Sequence, residues 1–130
     1  MDLERFQQRV DEAVAALPAE IAQRLDNVDV VAADAPAPET LRAMGVGPGG
    51  TLLGLYRGVP QTRRSHAYGA VGPDQILIYR RPVVAVARAA IEAGGDLDQA
   101  VRDQVRRTVL HEIGHHFGLT EADLRRLDYG

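Results

Sequence analysis

Cysteine is absent from this chain, and so is lysine. Without thiols there is no disulfide and no thiolate metal ligand, so any metal has to sit on His, Asp or Glu. All 15 basic residues are arginine. No Gly-Lys-Ser/Thr follows the glycines at 45–50, which therefore read as a turn-rich loop and not as a phosphate cradle. A basic surplus is also missing. The net charge is −3, which speaks against a nucleic-acid footprint. No apolar run approaches the roughly 18 residues of a membrane span. Met1-Asp2-Leu3-Glu4-Arg5 has neither the basic nor the apolar region of an export signal. The expectation is a soluble, cytoplasmic protein with no nucleic-acid or membrane partner, its oligomeric state left open.

What is present fits one domain spanning residues 1–130, since 130 residues with 45% apolar content bury a sizeable core. Leu3, Phe6, Val10, Ala13, Val14 and Leu17 recur at spacings of three and four, predicting a helix limited by Pro18. Strands are expected at 28–32, 52–57 and 76–79, where short β-branched or aliphatic runs are bounded by turn residues. Pro38 opens a short helix through Met44. The stretch 61–72 reads as a polar, exposed loop. A helix is expected over Val83–Ala93, after Arg80-Arg81-Pro82 closes the third strand, with Gly94-Gly95 ending it. Asp96 then caps a long helix from Leu97 to Phe117, with Gln99 as its capping partner. Val101, Val105, Val109, Ile113 and Phe117 form an i+4 row that packs this helix on the body of the domain.

The chemistry lies at the end of that helix, in His111-Glu112-Ile113-Gly114-His115, followed by Gly118 and Glu121. At about 100° per residue, His115 lies about 40° round from His111, and Glu112 about 100°. The two imidazoles can meet one zinc ion while the carboxylate reaches a water bound to it. Gly118 can turn the chain in a left-handed conformation. Thr120 then caps a last short helix with Asp123 as its partner, which leaves Glu121 as the favoured third ligand, ahead of Asp123 and then Asp128. By this chain's composition, a His-Glu-x-x-His pattern arises by chance in roughly one such chain in a hundred or fewer. The added glycine and acid at the right offsets reduce that chance.

Other residues carry two readings each. His116 is expected beside the cleft, supporting the site rather than binding metal. His66 is a loop histidine with a possible substrate contact. Arg80-Arg81 reads first as a solvated strand end and second as a grip for acidic substrate groups. The strand holding Ile78 and Tyr79 is core, or else a free sheet edge above the cleft with which a substrate peptide pairs. Tyr129 is expected to be a loose terminus, with an oxyanion-stabilising phenol as its sharper alternative.

The segment from His111 to Glu121 resembles the zincin superfamily, and more closely a group of short bacterial zincin-like metallopeptidases with the pattern His-Glu-x-x-His-x-x-Gly-x-x-Asp. Ile76–Pro82 and Leu52–Tyr56 also look like members of that group, and the likeness covers roughly residues 50–125. It implies a minimal α+β fold: a small twisted sheet of about three strands packed on an active-site helix, plus additional helices. It further implies His111 and His115 as metal ligands, Glu112 as general base, and Glu121 in place of the usual Asp. Metzincin relatives carry a third His and a downstream methionine turn, whereas the only methionines here, Met1 and Met44, lie upstream.

These readings converge on a zinc metalloendopeptidase, a hydrolase of exposed or unfolded peptide segments. Its rivals are a non-catalytic zinc-binding peptide-recognition module and, behind it, a metal-dependent ribonuclease. The acidic charge and Glu112 argue against the ribonuclease.

Overall fold

A computed structural model describes residues 1–58, 73–92 and 94–129. The architecture is α+β, with six helices and one three-stranded mixed sheet among the described residues. In chain order the elements are α1 (Leu3–Ala15), α2 (Ala19–Arg24), β1 (Val28–Ala33), α3 (Pro38–Ala43), β2 (Gly54–Arg57), β3 (Asp74–Tyr79), α4 (Arg80–Ala90), α5 (Leu97–Phe117) and α6 (Glu121–Tyr129). Helix α1 starts where the Asp2 carboxylate accepts the Arg5 N–H at 2.8 Å, satisfying one of the free donors of a first turn. Pro18 occupies the N-cap of α2, and Pro38 opens α3 at its first position, where its missing N–H costs nothing.

The sheet order is β1-β3-β2. Strand β1 runs parallel to β3, from Val28 opposite Asp74 to Ala33 opposite Tyr79. Strand β2 runs antiparallel to β3, from Gly54 opposite Ile78 to Arg57 opposite Gln75. Strand β3 is therefore central, with a paired neighbour on each side. Helices α1, α4 and α5 close one core with it. Phe6, Val10, Ile76, Ile78, Val83, Val101, Val105, Val109 and Ile113 are fully buried, each worth roughly 1.5–3 kcal/mol against exposure.

Two expectations need correction. Helix α4 begins at Arg80, not Val83, and ends at Ala90, where Ile91 turns extended (φ −95°, ψ 148°). Pro82 falls in its first turn, where no intrahelical N–H bond is lost. The entry is held from outside: the Arg81 N–H donates to the Asp34 carbonyl at 3.0 Å, the Arg80 guanidinium grips the Asp34 carboxylate, and Arg81 pairs with it too. This ties the end of β1 to the start of α4, so the arginine pair does structural work. The row along α5 is the second. Its first four members are buried, but Phe117 is 37% exposed, because the helix outruns the body there. Phe117 lies under the Arg24 guanidinium instead. No helix among the described residues is long and apolar enough to cross a membrane.

Candidate active site

The 21-residue helix α5 carries the site on its last two turns. Its start is set by Asp96, whose side chain accepts the Gln99 N–H at 3.2 Å. Its end is set by Gly118 at φ 71°, ψ 28°, a left-handed conformation that glycine adopts without strain. The Gly118 and Leu119 N–H groups both reach the Gly114 carbonyl. Leu119 folds back onto the core, and the chain reverses into α6.

His111 and His115 are exposed and stand side by side, ring centroids 4.3 Å apart and planes tilted by 52°. Neither ring spends a nitrogen on a hydrogen bond among the described residues. Beside them Glu112 is half-buried. Burial lifts its carboxyl above the ordinary glutamate range, against the opposing pull of the Tyr56 N–H and of His111 and His115. All three side chains line a cavity of about 540 Å³ between α5 and the segment 51–55, with Met44 on its rim.

The wall facing the helix is strand β2. The Tyr79 N–H donates to the Leu53 carbonyl, so alternate residues from Leu53 turn their backbone groups toward β3. Gly54 and Tyr56 turn theirs away from β3, where the Tyr56 N–H donates to Glu112 Oε2 at 3.3 Å. Gly54 permits this approach: a Cβ there would lie 2.7 Å from Thr108 Cγ2 and 3.0 Å from the Leu77 carbonyl oxygen. Gly114 serves α6 in the same way, since a Cβ there would meet Leu124 Cδ1 at 2.9 Å. The Tyr56 ring stacks on His116 at 3.8 Å, and its hydroxyl donates to Asp74 at 2.7 Å. His116 thus braces β2 against α5.

The structure brings His111, Glu112, His115 and His116 together at the cleft, but does not gather Glu121 with the two histidines. Among the described residues no group of three metal-capable side chains forms. Glu121 is exposed in the first turn of α6. Asp123 is engaged elsewhere, accepting the Thr120 N–H while the Thr120 hydroxyl accepts the Asp123 N–H, both at 3.0 Å. The Thr120 N–H, helped by the Thr120 side chain, holds the Asp123 carboxyl below the usual carboxylate range. Of the two readings of Ile78 and Tyr79, the core strand holds and the substrate-pairing edge does not. Both residues are buried on the central strand, with β1 and β2 paired on either side. The strand beside the cleft is β2. Tyr56, the residue sequence reasoning missed, had one signal: a glycine two positions earlier in a short strand, a mark of close backbone approach. His66 lies outside the described residues. Asp128 and Tyr129 fall within α6, and their side chains lie outside the described set.

A family model described as zincin-like metallopeptidase matches residues 25–130. The chain belongs to the zincin-like metallopeptidase family. The match takes in the whole sheet and helices α3 to α6. No curated protein sequence matches the chain. The zincin-like family implies a metal, usually zinc, and the donors here fit one. Two uncommitted imidazoles face the same cleft, and a thiolate site is excluded because there is no cysteine.

Proposed function

We propose that this zincin-like metallopeptidase is a zinc-dependent endopeptidase acting on exposed or unfolded peptide segments. The observation that carries the reading is the paired, uncommitted His111 and His115 lining one cavity with Glu112. His111 and His115 would hold the ion, with Glu121 as third ligand. Glu121 is supported over Asp123 because Asp123 is spent on the cap of α6, whereas Glu121 makes no hydrogen bond or ion pair among the described residues. Zinc bound there would lower the pKa of a water to about 7 and polarise a carbonyl.

The remaining work falls to the chain itself. An extended peptide would lie along the cavity wall formed by Leu52, Leu53, Gly54 and Leu55, which sets the scissile bond against Glu112. Glu112 Oε2 is steadied by the Tyr56 N–H, leaving Oε1 to take the proton from the attacking water and return it to the departing amine. Burial makes Glu112 a stronger base than a solvated glutamate.

The test is Glu112→Ala. Zinc content measured by elemental analysis should match wild type while cleavage of peptides disappears. A variant that cleaves as well as wild type defeats the mechanism. Purified protein that takes up no zinc at saturating titration defeats the whole reading.

A further inference from the structure

Among the described residues the cleft contains one arginine. Arg107 lines the cavity one helical turn before His111, on the same side of α5. Its guanidinium donates to the neutral Gln104 Oε1 at 3.3 Å and makes no ion pair with an acid among the described residues. That sets it apart from Arg5, Arg9, Arg80, Arg81, Arg102 and Arg126, each of which is paired with a carboxylate. Around Arg107 the cavity wall is aliphatic, built by Leu52, Leu53 and Leu55. Among the described residues Glu112 is the only acid lining it, and its Oε2 is turned to the Tyr56 N–H. Arginine presents a planar fork that matches a carboxylate in two-point contact. A cation left with an amide partner in an apolar-walled cleft therefore has unused capacity of one chemical kind.

We infer that Arg107 selects peptides bearing a carboxylate close to the scissile bond and beside a bulky apolar side chain. Four residues of helix separate Arg107 from His111 by about 6 Å along the axis and about 40° around it. An extended peptide advances about 3.3–3.6 Å per residue, so the carboxylate belongs within about two residues of the bond cut. Two sources meet that condition: the free C-terminus of a chain trimmed near its end, or an Asp or Glu side chain within a longer one. The inference rests on the metallopeptidase reading for the bond cut, but not for the recognition itself.

The experiment uses the zinc-loaded protein and two sets of leucine-containing peptides. One set compares a free C-terminal acid with its amide. The other compares Asp with Asn two residues from the leucine, with both ends blocked. Wild type should favour the acid in at least one set by about tenfold in kcat/KM, the size of one partly exposed charge-assisted contact. Arg107→Gln should bring that ratio close to one, and Arg107→Glu should invert it. Each ratio is taken within one preparation, so it is independent of the fraction folded. A wild-type ratio near one in both sets, or a preference that survives Arg107→Gln, overturns the inference and leaves the peptidase reading standing. If no peptide is cut, calorimetric binding of the same peptides decides. An Arg107-dependent preference for the acid upholds the inference while the peptidase reading fails, and the lack of any preference sinks it.

Discussion

Replacing Gly54 by alanine tests the contact that brings the sheet edge to the catalytic helix. The new Cβ would sit 2.7 Å from Thr108 Cγ2 and 3.0 Å from the Leu77 carbonyl oxygen. Alanine recovers roughly 0.5–1 kcal/mol of backbone entropy relative to glycine in a strand. Overpacking costs about 1–3 kcal/mol, so Gly54→Ala should destabilise by about 1–2 kcal/mol net. At this chain length each kcal/mol lowers Tm by roughly 4 °C. Thr108→Ser supplies the control. It removes the clashing methyl and keeps the hydroxyl, which donates to the Gln104 carbonyl at 2.8 Å. Alone it should cost about 1 kcal/mol for a lost buried methyl group. In the Gly54→Ala background it should cost nothing or restore stability, with a coupling energy of about 1 kcal/mol or more. Rescue stays partial because the Leu77 carbonyl belongs to the backbone and cannot give way. Urea unfolding of the four proteins measures the cycle. Independent, additive effects of the two substitutions would refute the close-contact argument, as would a Gly54→Ala protein as stable as wild type.

Two further outcomes follow from the site. The Glu112 carboxyl titrates above its unfolded value because burial disfavours its charge, so its contribution to stability is full below the unfolded pKa and is lost as pH rises through the folded one. In chelator, Glu112→Gln should therefore be more stable than wild type at neutral pH and lose that advantage in acid; equal unfolding midpoints at pH 7 would contradict this. Glu121→Ala should weaken zinc uptake with little effect on α6, whereas Asp123→Ala should lower stability by about 1 kcal/mol through the lost capping box and keep the metal. Zinc titration and thermal melts of the pair would show the roles reversed if Asp123 is the ligand.

Much of this was legible because it is local. Asp96, Gly118 and the Thr120–Asp123 pair act within one turn of chain, and helical periodicity marks α1 and α5 directly. The spacing of His111, Glu112 and His115 needs only the pitch of a helix. What was not legible depends on partners distant in sequence. Nothing within Ile76–Tyr79 says that β1 and β2 flank it, so Ile78 and Tyr79 read equally well as an edge or as a centre. Pro82 looked like a barrier because local rules do not show that Asp34 would anchor the preceding arginines. The bond from Tyr56 to Glu112 spans 56 residues and exists only because Gly54 has no side chain.

Helix α5 is unbroken from Leu97 to Phe117, a rod of about 30 Å. Val101 and Val105 clamp its first half among Phe6, Val10 and the sheet, Val109 and Ile113 continue the buried row, and the last two turns carry the chemistry. A tilt of only about 5° at the clamped end would sweep His115 sideways by roughly 2 Å. Aim at the cleft is thus decided by how valines 101 and 105 seat in the interior. Changes far from the cleft can misalign it while the protein remains folded.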